Sequence, residues 1–484
     1  MPPTVASDVN ELRMESRSLT ADRSRDGMVS RFAGKRIHFI GIGGCGMSGL
    51  ARILLDAGAI ISGSDPKPNA QTFELARRGV TLSRDQMGEL LSPQVDLVVR
   101  TAAIPDANRE MQAARAYDLP TVKYAQLLGQ VMQERLGVAV AGTHGKSTTT
   151  AMISFAMTQC GADPSFVVGG TVPQLGGGSR SGGGQAFVVE ACEYDRSFHN
   201  LVPSIALITN IEEDHLDCYK DIDEIVVAFR EFAQLVPADG LILANGQDRR
   251  VLEALAGLAT PVELVGHAPG FSWSTRFTGI QAGCHGGEIS YKGKPVGKLR
   301  LSVPGEHNLF NATMAVAACA ACGVSPGDAA DAIGRFTGVD RRMTEMGRCN
   351  GAIVVDDYGH HPTEIRATLK AAREKYRPKR LICVFQPHQH SRTRFLLEDF
   401  AASFAEATLT IVPDIYFVRD SEAERQRVSS RDLVDSITRN GQSALHLPEF
   451  KAIVEYLRAE AREGDLVMTM GAGNVWEIAR DLVE

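Results

Sequence analysis

Gly142-Thr143-His144-Gly145-Lys146-Ser147 directly follows the apolar run VAVA and opens the helical pattern TTTAMISFAM. A lysine and a hydroxyl at the junction of a glycine turn and a helix are suited to phosphate chemistry. Unpaired backbone N–H groups and the helix dipole attract the anion, the Lys146 ammonium neutralises the β and γ oxygens, and the Ser147 hydroxyl suits Mg²⁺. Val140 stands where a full G-x-x-x-x-G-K-S carries its first glycine, so the motif is a shortened phosphate loop. We read it as an ATP site. Two further apolar runs end in groups that could meet the phosphates: Glu190 closes QAFVVE, and Asp214, His215 and Asp217 follow SIALITN. In open parallel sheets ligands bind outside the carboxyl ends of the strands, where these side chains can converge. A carboxylate suits Mg²⁺ well and an imidazole less so. The competing reading makes Asp214 a helix cap and His215 a partner of backbone.

A second glycine turn lies upstream. Gly41, Gly43 and Gly46 in GIGGCG form a G-x-G-x-x-G between a strand-like run and a helical one. Such a turn lets backbone approach a diphosphate, and Asp65 falls at the next strand end, about 20 residues on, where an acid bonds ribose hydroxyls. The spacing alone does not separate a nicotinamide dinucleotide from another nucleotide diphosphate, or either from an unliganded tight turn.

These loops require a scaffold. From Lys35 onward, β-like runs alternate with helical patterns: RIHFIGI, SGLARILLDAG, AIISGSD, TFELARRG and VDLVVRTAAI. The alternation starts again at GVAVAGTHGKS, with QAFVVEA, SIALITN and GLILANG, and a third time near Gly351, with GAIVVDDYG, RLICVFQPH, ATLTIVPDIY and DLVMTMGAG. Alternation of this kind predicts βαβ units and parallel sheets. At roughly 100–200 residues per domain, 484 residues also suggest about three domains. The expected fold is α/β with a Rossmann-like N-terminal domain (34–123), a central P-loop ATPase-like parallel-sheet domain (124–340) and a C-terminal Rossmann-like domain (341–484). Residues 1–33 are expected to be a disordered tail, and the half-glycine stretch 169–184 a flexible loop.

Composition narrows the class of function. The net charge of −7 argues against a nucleic-acid partner, and no apolar run approaches the ~20 residues of a membrane span. The N-terminal stretch lacks the apolar core of a secretory signal, and the nine cysteines are scattered, so reduced thiols and a cytoplasmic location are expected. Cys319 and Cys322 form a C-x-x-C inside the apolar run NATMAVAACAACG and read as core residues. Cys45, within the first glycine turn, is the thiol expected near substrate, with a pKa that a helix amino terminus could lower.

GTHGKS, TNIEEDHLD, PGEHNLFNA, DDYGHHPTE and FQPHQHSRT, in this order, resemble the Mur ligase family over residues 35–484. The resemblance implies an ATP-dependent ligase that joins L-alanine to the lactyl carboxylate of UDP-N-acetylmuramate through an acyl phosphate, in peptidoglycan precursor synthesis. It implies ATP and Mg²⁺ as cofactors and a monomer or weak homodimer. Gly142, Thr143, His144, Gly145, Lys146, Ser147 and Thr148 would bind the ATP phosphates, and His307 and Asn311 the adenine. Arg342 and Asp357 would reach ATP from the third domain. Ser147, Glu190 and His215 would hold magnesium. Gly43, Gly44, Gly46 and Asp65 would hold the uridine nucleotide. Tyr358, His360 and Arg392 would line the amino-acid pocket, with Arg392 a partner for the carboxylate. Lys146, Glu190, His215 and His360 would be the catalytic set.

The sequence also departs from the family pattern. Cys192 and Tyr194 replace the usual residues of E-A-D-E-S-D, Gln389 stands where relatives often carry arginine, and Ala102 and Ala103 replace serines. Phe229 and Arg230 lie where sister ligases place a carbamylated lysine, so no such modification is expected. The alternatives are a recycling ligase that attaches a tripeptide to the same nucleotide and, in another class, an NAD-dependent oxidoreductase built on the first glycine turn.

Overall fold

The computed structural model describes residues 30–101 and 103–483. The expected tail lies outside the described residues up to position 29, as does Ala102. Three sheets organise the rest, each layered with helices, and the architecture is α/β throughout.

The first sheet contains β1 (Arg36–Ile40), β2 (Ile60–Ser64), β3 (Thr81–Ser83), β4 (Leu97–Arg100) and β5 (Thr121–Lys123), all parallel, in the order β3-β2-β1-β4-β5. Four of the five β1 residues are buried, as expected for a central strand covered by helices on both faces. The strand order reverses beside β1, and the glycine turn 41–46 leaves that strand at the resulting crevice.

The second sheet comprises β6 (Leu136–Ala141), β7 (Ser165–Val172), β8 (Gly177–Arg180), β9 (Ala186–Glu190), β10 (Ile205–Ile208), β11 (Leu241–Asn245), β12 (Val262–Gly266), β13 (Trp273–Gln281), β14 (Cys284–Tyr291) and β15 (Lys294–Pro304). Their order is β15-β14-β13-β12-β11-β10-β6-β9-β7-β8. β6 is buried at every position and sits between β9 and β10, parallel to both. The helices Lys146–Gln159 and Glu306–Ala321 pack against each other over this sheet, with Cys319 fully buried between them. The helix Glu306–Ala321 carries six alanines in its 16 residues, which allows close approach.

The expected flexible loop at 169–184 is instead largely ordered. Residues up to Val172 continue β7, and β8 returns antiparallel to it. The glycines permit close packing rather than mobility: a Cβ on Gly178 would lie 2.5 Å from the Gly170 carbonyl oxygen. The hairpin also docks the first unit, since Arg52 of the helix Cys45–Asp56 donates to Ser179 O at 3.2 Å.

The third sheet has the order β16-β17-β21-β18-β19-β20. β17 (Ala352–Asp357), β18 (Arg380–Phe385), β19 (Leu409–Val412), β20 (Ala444–His446) and β21 (Asp465–Met470) are parallel, and β16 (Thr344–Cys349) is an antiparallel edge. An apolar cluster covers each face. The carboxyl ends of β17 and β18 face the phosphate loop of the second unit.

Candidate active site between the second and third units

Gly142 and Gly145 give the phosphate loop its shape. Gly145 adopts φ +82° as the cap of the helix Lys146–Gln159, and a Cβ on Gly142 (φ +138°) would collide with the Thr209 hydroxyl. Lys146 Nζ folds back over the loop, donating to Gly142 O at 2.5 Å and Thr143 O at 3.0 Å. It also pairs with Glu193, 2.9 Å from Oε2; Glu193 is buried and Lys146 mostly so. Burial alone would raise the Glu193 carboxyl, but Lys146 and then His215 hold it below its ordinary value.

Glu190, at the end of β9, accepts from the Gly169 backbone N–H and from the Ser147 hydroxyl. Burial keeps its pKa raised despite these bonds and the nearby Lys146 and Arg342. His215 follows β10 in a left-handed conformation (φ +55°). Its Nε2 is 3.6 Å from Glu193 Oε1, and its Nδ1 is buried without a hydrogen-bond partner. Lys146, Ser147, Glu190 and His215 thus surround one carboxylate-lined corner. Two acids, a hydroxyl and an imidazole with an unspent nitrogen are a donor set that fits a divalent cation.

The third unit meets the loop directly. Glu364, in the helix Pro362–Tyr376, reaches His144 Nδ1 at 3.3 Å, Arg342 Nη1 at 3.6 Å and the His360 N–H at 3.0 Å. His144 Nε2 lies 3.6 Å from Glu212 Oε2 on its other side. Burial disfavours the imidazolium, but Glu212 and Glu364 outweigh it and lift the His144 pKa to about 9. His361 adds a ring 4.5 Å from that of His144 and bonds Glu213 O at 3.0 Å through Nε2.

A cleft of about 360 Å³ extends from this junction, lined among others by Thr148, His307, Asn311, Arg342 and Asp357. The expected ATP residues therefore share one cavity with the phosphate loop. Burial and then Arg342 depress His307 to about 4, leaving a neutral ring. Asp357 accepts from the backbone N–H groups of Gly359 (2.7 Å) and Met343 (2.8 Å), and burial lifts it to about 6.

On the far side, Arg392 is nearly buried and sends Nε (3.0 Å) and Nη2 (2.7 Å) to Asp214 Oδ1. Only Nη1 points elsewhere, towards His388 Nδ1 at 3.3 Å. Tyr358 lies beneath the guanidinium groups of Arg341 and Arg342, and its ring is 5.4 Å from that of His360. Burial drives His360 down to about 4. With Nδ1 3.1 Å from Tyr358 O, the neutral ring leaves Nε2 as an acceptor.

The uridine candidates occupy a separate place. Gly44 and Gly46 line a cleft of about 280 Å³ with Tyr124, Lys123 and Asn200, between the first and second units. Gly43 and Asp65 are not among its walls. Asp65 accepts from the Gly43 N–H at 2.8 Å, so it shapes the glycine turn. Cys45 differs from expectation: desolvation and the Glu190 charge raise its thiol pKa, outweighing any lowering effect of the helix terminus.

Sequence reading missed Glu193, Glu212, His361 and Glu364 as parts of the site. Glu193 stood three residues after Glu190, and Glu364 four after His360 on a helix start, so spacing held a local signal for these two.

Three family models match successive parts of the chain. Residues 36–136 match the model of the Mur ligase family catalytic domain, 140–319 the Mur ligase middle domain, and 341–473 the Mur ligase glutamate ligase domain. The UDP-N-acetylmuramate–L-alanine ligase of Caldanaerobacter subterraneus subsp. tengcongensis is 45% identical over 452 residues, covering 93% of this chain and 97% of the relative. That of Acetivibrio thermocellus is 41% identical, covering 92% and 94%. Among solved structures, the UDP-N-acetylmuramate-alanine ligase of Thermotoga maritima superposes with a TM-score of 0.77 at 25% identity, covering 93% of this chain and 98% of the other. A murein peptide ligase from Psychrobacter arcticus gives 0.69 at 26% identity, with the same coverage.

Proposed function

The chain belongs to the Mur ligase family, and we propose that it joins L-alanine to the lactyl carboxylate of UDP-N-acetylmuramate at the expense of ATP. The observation that carries this reading is the convergence of Lys146, Ser147, Glu190, Glu193 and His215 at the carboxyl ends of β6, β9 and β10, opposite Glu364 and Arg392 of the third unit. The site offers charge neutralisation and positioning, which phosphoryl transfer needs, and no side chain arranged as a covalent nucleophile.

In this reading residues 34–123 hold the uridine nucleotide through Gly44 and Gly46, with the Gly43–Asp65 hydrogen bond fixing the turn. Residues 124–340 hold ATP: the loop Gly142–Thr148 binds the phosphates, and His307 and Asn311 face the adenine. Residues 341–484 supply Arg342 and Asp357 towards ATP and Tyr358, His360 and Arg392 towards the amino acid. Ser147, Glu190 and His215 would hold Mg²⁺, which would supply positive charge to offset the repulsion between phosphate and carboxylate.

Lys146 exchanges its loop carbonyls and Glu193 for the phosphates, drawing charge off the γ-phosphoryl group as the lactyl carboxylate attacks it. The products are an acyl phosphate and ADP. The α-amine then attacks the acyl carbon, the C–O bond to phosphate breaks and inorganic phosphate leaves, and His360 Nε2 accepts the proton that the amine nitrogen gives up. Contact of Glu364 with His144 keeps the third unit against the loop, shielding the acyl phosphate from water. A cytoplasmic location fits a reaction that uses ATP and a nucleotide-linked sugar. No helix among the described residues is long and apolar enough to cross a membrane.

Isotopic labelling of the lactyl carboxylate oxygens tests this chemistry. Phosphate released in the presence of L-alanine should carry label from the carboxylate; unlabelled phosphate would rule out the acyl-phosphate route.

A further inference from the structure

Arg392 is poorly placed to be the sole cation for an amino-acid carboxylate. Its Nε and Nη2 both serve Asp214 Oδ1, in a pair of which each side chain is only 7% exposed. Withdrawing it would strand a buried carboxylate, which is strongly unfavourable. The adjacent loop position, Gln389, contributes no charge.

A second guanidinium lies close by. Arg419 is exposed and makes no ion pair among the described residues. It is nonetheless held in place. Its Cζ sits 4.4 Å from the ring centroid of Tyr194, and that ring packs edge-on against His215 at 5.1 Å. The backbone at Arg419 is left-handed (φ +61°), as it is at Gln389 (φ +71°). Conformations of this kind persist where the surroundings over-determine them.

The surroundings here are a weld between two loops. Tyr416 N donates to Pro387 O at 2.8 Å, and Gln389 N to Tyr416 O at 3.1 Å. The rings of His388 and Tyr416 stack at 5.4 Å, and Ser391 donates to Asp420 Oδ1 at 2.6 Å. The segment bearing Arg419 is thereby fixed to the segment bearing Arg392. The electrostatics agree: after burial, His360, Arg392 and Arg419 together drive His388 down to about 3. Two arginines and a neutral histidine thus share a region flanked by His215 of the phosphate corner.

We propose that Arg419, steadied by Tyr194, binds the α-carboxylate of the incoming amino acid, while Arg392 stays on Asp214 and contributes Nη1. This inference rests on the ligase reading above. Tyr194 acts here as a positioning residue, linking a third-unit cation to the second-unit corner where the acyl phosphate forms. Cation–π contact of this kind orients a guanidinium without neutralising it, so the charge stays available.

The test compares L-alanine with L-alaninamide, which keeps the amine and lacks the carboxylate, at saturating ATP and UDP-N-acetylmuramate. The wild-type enzyme should strongly prefer L-alanine. Arg419→Gln should raise the KM for L-alanine about tenfold or more, leave that for ATP within about twofold, and bring the preference for L-alanine over the amide close to one. Arg419→Lys should retain part of the preference, and Tyr194→Leu should raise the same KM by a smaller factor. Melting temperatures measured alongside should be unchanged for the exposed Arg419 variants. An Arg419→Gln enzyme that prefers L-alanine over the amide as strongly as wild type would overturn the assignment. Absence of L-alanine-dependent phosphate release from the wild-type enzyme would instead overturn the ligase reading, and this inference with it.

Discussion

Glu193 Oε2 lies 2.9 Å from Lys146 Nζ, so the ammonium expected on the ATP phosphates rests on a buried carboxylate. Nucleotide must take over that charge. In the free protein Glu193 compensates Lys146; with ATP present, phosphate does.

Glu193→Gln should therefore destabilise the nucleotide-free protein by about 3–5 kcal/mol, the cost of leaving a buried charge unpaired. Saturating ATP should recover much of this. Denaturant melts with and without ATP measure it, and an ATP-induced stabilisation no larger than that of wild type would contradict the exchange.

Lys146→Ala should lower turnover by at least about 10²-fold, the scale for losing one key charge-stabilising group. The uridine substrate should bind as before, because Lys146 is not among the residues that line the cleft at Gly44 and Gly46. Calorimetry with UDP-N-acetylmuramate checks this: loss of its binding in the variant would argue against separate nucleotide sites.

The His144 junction gives stability a pH dependence of known sign. His144 titrates near 9 in the folded protein against an ordinary 6.5, so its contribution is complete below about pH 6.5 and lost as pH rises through about 9. Glu212 titrates near 2 against 4.5, so its contribution is complete above about pH 4.5 and lost as pH falls through about 2. Between these limits, from about pH 4.5 to 6.5, both are present. Wild type should melt above His144→Gln at pH 6, and the gap should shrink by roughly 2 °C or more by pH 10. A gap that stays constant would show that the junction carries no net charge interaction.

The core reading of the C-x-x-C is checked more simply. Cys319 is fully buried, and burial raises its thiol well above the usual range. Cys319→Ser should cost about 1–3 kcal/mol by burying a poorly satisfied hydroxyl, whereas a zinc chelator should leave the melt unchanged. A chelator-induced fall would point to a metal at the pair.

The parts of the molecule that were legible in the sequence are those whose signal is local. The loop 142–147 announces itself by residue type between a strand and a helix, and Glu190 by closing an apolar run. β13 and β14 gave no such signal, because WSTRFTGIQ is largely exposed and CHGGEISY carries paired glycines in place of apolar residues. The hairpin of β7 and β8 looked flexible because composition does not show that its glycines serve close packing. The contacts joining the units were out of reach for another reason: Asp214 and Arg392 are 178 residues apart, and no spacing rule links them. Glu193 was different. It lay within a motif already singled out, yet its pairing with Lys146 depends on how two loops fold over each other.

The acceptor is the most direct point of attack on the whole account. With ATP, Mg²⁺ and UDP-N-acetylmuramate present, phosphate release should be measured with L-alanine, glycine, L-serine and the ready-made tripeptide offered separately. L-alanine should give the highest kcat/KM, and the tripeptide little release. Turnover with the tripeptide and none with L-alanine would contradict the L-alanine assignment.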